Sequence, residues 1–97
     1  MQLCYSNVDQ ADNGLFYSVG EELAGHKVRY RLRLDNYANQ SYAVVEVWSP
    51  ALLKWNEVAT YRPENWWVSR YSDHEVVMEA FGDALEELRG RALATLS

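Results

Sequence analysis

Apolar and basic residues alternate without a break over residues 27–34, where Lys27, Arg29, Arg31 and Arg33 interleave with Val28, Tyr30, Leu32 and Leu34. Successive side chains of a strand project to opposite faces, so this pattern predicts a β-strand with an apolar inner face and a cationic outer one. Three further runs read as strands. Residues 15–19 follow the turn-prone pair Asn13-Gly14, residues 42–48 are rich in β-branched and aromatic side chains, and residues 55–62 come after a loop containing Pro50. The segment 20–25, bounded by Gly20 and Gly25, and the polar segment 35–40 read as connections.

The pairing of these strands is constrained, because a slip of one residue would turn a strand inside out. Setting Val28 opposite Val47, Tyr30 opposite Val45 and Leu32 opposite Ala43 makes one face wholly apolar and brings Arg29 opposite Glu46 on the other. At the next hairpin the same logic sets Val45 opposite Val58 inside, with Trp48 opposite Trp55 and Tyr42 opposite Tyr61 outside.

After residue 71 the period changes. Ser72-Asp73-His74-Glu75 has the form of a capping box, and Val77, Met78, Phe81, Ala84, Leu85, Leu88, Ala92 and Leu96 recur at near-helical spacing. The expected fold class is therefore α+β: a four-stranded antiparallel β-meander with one C-terminal amphipathic α-helix packed on one face, forming a single domain over residues 1–97. Gly82 and Gly90 interrupt the helical run at about 1 kcal/mol each relative to alanine. Gly82 reads as a point of close approach to the sheet, Gly90 as a point of fraying or bending.

Composition narrows the setting. A chain of 97 residues with 48% hydrophobic content supports one core. The lone cysteine, Cys4, excludes an intrachain disulfide and suits a reducing, cytoplasmic environment. No apolar run approaches membrane-spanning length, and the first residues lack the form of a secretory signal. Four Trp and seven Tyr are more rings than so small a core hides, which places some of them at the surface.

Candidate chemistry is sparse. Cys4, His26 and His74 supply the whole stock of thiol and imidazole, and their spacing supports neither a nucleophile–base dyad nor a zinc site. No calcium-binding loop or glycine-rich phosphate loop is present. Glu46 and Glu57 fall as cross-strand neighbours, the arrangement of a catalytic carboxylate pair, but Arg29 beside Glu46 gives a simpler structural account. The chain reads as a non-enzyme with neither metal nor cofactor.

Charge is more informative. The net value is −5, yet residues 1–26 hold four acids and no Lys or Arg, whereas residues 27–34 hold four cations and no acid. Two surfaces stand out. On the helix, Glu75, Glu79, Asp83, Glu86 and Glu87 share the polar side, although like charges four residues apart repel by a few tenths of a kcal/mol and the helix dipole favours only acids in the first turn. On the outer sheet face, Arg29, Arg31 and Arg33 lie beside Trp48 and Trp55, and the pair Trp66-Trp67 follows in a linker; Arg and Trp are the residue types that dominate binding hot spots. The expectation is an acidic protein-interaction module, a small inhibitor or adaptor whose helix occupies the basic, nucleic-acid-binding surface of a partner protein while Trp66-Trp67 anchors the contact. In size and charge the chain is similar to small phage-encoded anti-defence proteins, anti-CRISPR proteins among them. The sheet face supports two alternatives: a single-stranded nucleic-acid binder, or a small enzyme or ligand-binding protein with an unrecognised site. Pairing through an edge strand or the exposed aromatics would also allow a homodimer.

Overall fold

The structure, a computed structural model, describes residues 4–11, 14–64 and 66–96, with side chains from residue 17 onward. Five antiparallel strands run in sequence order: β1 (Cys4–Ala11), β2 (Gly14–Leu23), β3 (His26–Leu34), β4 (Tyr42–Ser49) and β5 (Lys54–Tyr61). The helix α1 (His74–Leu96) follows and packs across β5 and β4, reaching β3. The expected meander and C-terminal helix are present, and β1 extends the sheet at its N-terminal edge. A bulge masks β1 in the sequence: Tyr5 and Val8, three residues apart, pair with Val19 and Tyr17, two apart, so the period of two is broken. The expected Asn13-Gly14 turn lies outside the described residues.

The first connection is shorter than its glycines suggest. β2 continues to Leu23, and only Ala24 and Gly25 form the turn, both at positive φ (51° and 79°), as a two-residue hairpin of the primed type requires. This extension carries Glu21 into the inner face between Val19 and Leu23. The β3–β4 register is as read from the pattern: Val28 pairs with Val47, Tyr30 with Val45, Leu32 with Ala43 and Arg29 with Glu46.

At β4–β5 the expected register holds only at the loop end. Trp48 pairs with Trp55, but a bulge at Val58 shifts the remainder, so Val45 faces Ala59 and Ala43 faces Tyr61. Tyr61 is thereby turned inward, against the expectation that it lies outside opposite Tyr42. The extra residue resets the alternation, exchanging an inner row of Asn56, Val58 and Thr60 for one that admits Ala59 and Tyr61.

One contiguous core results. Val19, Val28, Tyr30, Leu32, Leu34, Ala43 and Val45 from the sheet meet Val77, Ala80, Phe81, Ala84, Leu85, Leu88 and Ala92 from α1. Trp66 and Val68 join them from the linker. The linker is held in place by the Arg70 N–H donating to the Asp35 carbonyl (2.9 Å) and by Trp66 meeting Tyr61 edge to face at 5.5 Å. The Ser72 hydroxyl accepts from the Ser69 N–H (3.0 Å), serving this linker in place of the expected capping box.

A polar tie crosses the core. The fully buried Tyr30 donates its hydroxyl hydrogen to Glu21, whose side chain is 4% exposed, and Arg89 from α1 reaches the same carboxylate at 3.2 Å. Burial, then the hydrogen bond to Glu21, pushes the Tyr30 hydroxyl well above the ordinary tyrosine range. These three residues lock β2, β3 and the second half of α1 together.

Candidate functional site

The helix presents its acids as the spacing predicts. Glu75, Glu79, Asp83, Glu86 and Glu87 are all exposed. Only Glu87 is neutralised among the described residues, by Arg91 at 3.1 Å, while Arg91 also donates to the Thr60 carbonyl at 3.2 Å. Arg89 is committed inward to Glu21. The two late arginines therefore serve the fold and leave a stripe of four carboxylates without a cation in ion-pair range among the described residues.

Gly82 lies within that stripe, and Gly90 continues its line just past the C-terminal end. Gly82 is three residues from Glu79 and four from Glu86, and Gly90 is four beyond Glu86, the spacings that share a helix face. Both are exposed, and a Cβ at either would meet nothing within 4 Å. This corrects the expected close approach at Gly82, which faces solvent, and the expected fraying at Gly90, through which α1 continues to Leu96. Neither glycine is required by packing within the described residues. Gly82→Ala and Gly90→Ala are each expected to raise the unfolding free energy by about 1 kcal/mol, measured by urea denaturation.

The opposite surface is more self-contained. Arg29 donates its Nε–H to Glu46 at 2.7 Å and stacks over Trp55, 4.3 Å from the ring centroid. Arg31 reaches the same carboxylate at 3.9 Å, and Arg33 approaches Asp35 at 3.7 Å. Trp48 and Trp55 meet edge to face at 5.5 Å. Much of this face is thus an internal lattice of ion pairs and rings. Beside it, over β2 and β3, lies an open concavity of about 580 Å³ floored by Ser18 and Gly20. The pattern along β3 revealed the cations, but the concavity depends on how β2 aligns and was not visible in it.

The linker tryptophans separate. Trp67 is 52% exposed, but Trp66 is 6% exposed within the core, so the expected anchor pair is reduced to Trp67. Neighbouring chain exposes Tyr71 and Tyr37 (75% and 66%).

The residues weighed for chemistry do not assemble a site. Glu46 and Glu57 do pair across β4 and β5, but Glu46 is engaged by Arg29 and Glu57 accepts from the Thr60 hydroxyl at 2.6 Å. His26 and His74 are exposed at the β2–β3 turn and at the start of α1; the Cys4 side chain lies outside the described residues. Among the described residues, no group of three His, Cys, Asp or Glu side chains could hold a metal ion, and no helix is long and apolar enough to cross a membrane. No known protein family, curated protein or solved structure matches the chain.

Proposed function

We propose that this protein is a non-enzymatic interaction module, an inhibitor or adaptor that lays the acidic face of α1 on a basic surface of a partner protein. The observation that carries this reading is the stripe Glu75, Glu79, Asp83 and Glu86, exposed and unneutralised on the described surface, with Gly82 leaving its centre, and Gly90 its C-terminal end, open to a partner's backbone. Carboxylates one helical turn apart stand about 6 Å from each other along the axis, a regular row of negative charge suited to arginines and lysines that otherwise grip phosphates. Such a row steers a basic partner from a distance and adds specificity once it docks. Trp67 supplies an apolar contact outside the charged stripe.

The test is a triple neutralisation, Glu79→Gln, Asp83→Asn and Glu86→Gln. It relieves like-charge repulsion, so stability is expected to stay level or rise slightly. Affinity for the basic partner is expected to fall by at least tenfold, while a control variant at Glu57 and Glu64, two exposed acids away from the stripe, binds like the parent chain. Equal affinity of the triple variant and the parent would reject the helix face as the docking surface.

A further inference from the structure

We propose that copies of this protein associate head to tail, the hairpin tip Leu52-Leu53 of one copy seated on the exposed aromatic end, Tyr37, Trp67 and Tyr71, of the next. This goes beyond the helix-face reading and does not depend on it, although the two share Trp67 and Glu75.

Among the described residues five large apolar side chains are exposed, and the topology sorts them into two groups. Leu52 and Leu53, 62% and 76% exposed, stand at the tip of the β4–β5 hairpin, beyond its last pair, Ser49 with Lys54. Tyr37 lies in the β3–β4 connection, at the other end of β4. There the Arg70 N–H donates to the Asp35 carbonyl at 2.9 Å and the Arg70 guanidinium donates to the Asn36 side-chain oxygen at 3.3 Å. Tyr71, next in the chain, and Trp67, three residues back, are thereby held at the same end as Tyr37. The length of β4, about 26 Å at roughly 3.3 Å per residue, separates the two groups.

The tip is unfavourable in two ways. Leu53 has a φ of 53°, in the left-handed region where Cβ crowds the backbone and glycine or asparagine is usual. Its side chain is also the most exposed of the five. A loop that needed only to close would be better served by asparagine on both counts. The Ser49 hydroxyl accepts from the Leu52 N–H at 3.3 Å, so the backbone of the tip is tied from within. Two adjacent leucines presented on a tied loop are ordered before any contact forms, which lowers the entropy lost on association.

Charge selects a second copy as the occupant. Lys54 is exposed beside the leucines, and at the neighbouring β2–β3 hairpin Lys27 and Glu22 stand opposite each other and offset. Beside the rings Glu64, Asp73 and Glu75 are exposed, against Arg62 and the Asn36-bound Arg70. One end is therefore aliphatic with a surplus lysine, the other aromatic with a surplus acid. Unlike ends attract and like ends repel, so the complementary contact is tip to aromatic end. Each copy keeps one unused tip or end after a single contact, so assembly continues past two copies into a ring or filament. The patches are small beside a stable interface, which makes the association weak and dependent on concentration.

The experiment is sedimentation velocity over about 10 μM to about 1 mM protein, the range of weak association. The average mass of the parent chain is expected to rise with concentration past that of a dimer. Two variants each block one surface: Leu52→Ser with Leu53→Asn at the tip, and Trp67→Ser with Tyr71→Ser at the aromatic end. Each alone is expected to stay monomeric and to keep the parent's circular-dichroism spectrum. The tip variant is expected to hold or raise Tm, because asparagine tolerates the left-handed backbone and no buried contact is lost. Mixing the two variants pairs the intact tip of one with the intact aromatic end of the other, and is expected to give a one-to-one dimer that grows no further. Neutralising Glu79, Asp83 and Glu86 is expected to leave association unchanged, which separates this contact from the helix-face reading. A parent chain that stays monomeric or stops at a dimer, undiminished association in either variant, or a mixture that stays monomeric would each overturn the proposal.

Discussion

Replacing Glu21 with alanine is expected to destabilise the protein by about 3 kcal/mol, a fall in Tm on the order of 12 °C or more for a chain of this size. The size of the effect follows from what the substitution leaves behind. Tyr30 is fully buried, and without the carboxylate its hydroxyl loses the acceptor identified for it, a penalty of about 1–3 kcal/mol. Arg89 is 38% exposed and can turn to water, so its lost ion pair adds about 1 kcal/mol or less. Glu21→Gln keeps an acceptor for Tyr30 while removing the charge, and is expected to cost about 1 kcal/mol. Urea denaturation of the two variants checks the order. Equal losses would mean that the hydrogen bond to Tyr30 contributes nothing.

The same tie predicts a loss of stability in alkali. Because the Tyr30 hydroxyl holds its proton more tightly in the folded state than the ordinary tyrosine value of about 10, the unfolded chain releases that proton first as pH rises. This contribution to stability is complete below pH 10 and is lost as pH climbs toward the folded-state value. The expected slope is about 1.4 kcal/mol per pH unit, or roughly 2–3 kcal/mol lost by pH 12. Tyr30→Phe removes the titrating group, so its stability should fall less steeply above pH 10 by that amount, at a cost of about 1 kcal/mol near neutrality. Parallel denaturation series for the parent chain and Tyr30→Phe, from pH 8 to 12, measure the difference. Identical alkaline slopes would contradict the placement of Tyr30.

The parts of this fold that could be read from sequence are those where one period holds undisturbed. Along β3 four apolar residues alternate with four cations, and that regularity determined its register with β4 to the residue. The stripe on α1 was equally legible, and with it the exposure of Glu75, Glu79, Asp83, Glu86 and Glu87. The bulges in β1 and at Val58 obscured the remainder, since one extra residue reverses the face assignment beyond it and moved Tyr61 inward. Glu21 was hidden differently. Gly20 and Gly25 suggested a loop, whereas continuing the alternation from Tyr17 and Val19 through Glu21 to Leu23 would have shown an acid on an apolar face, in need of partners. Those partners, Tyr30 on the neighbouring strand and Arg89 at the far end of the chain, are brought together by topology alone.

Trp66 and Trp67 show why adjacent residues of the same type need not share a role. Their side chains diverge, and the linker buries Trp66 against Tyr61 while leaving Trp67 outside. The candidate surfaces therefore became smaller and more definite: a row of carboxylates on α1, one exposed tryptophan, and a cation-lined concavity behind the sheet.

The proposed use of the helix face is tested most directly by carboxylate footprinting of the protein bound to its basic partner, with labelled positions read by mass spectrometry. Glu79, Asp83 and Glu86 are expected to be protected severalfold relative to the free protein, with Glu57 and Glu64 labelled as before. Labelling of the helix carboxylates that is unchanged by the partner, with protection falling instead at Glu57 or Glu64, would contradict the account.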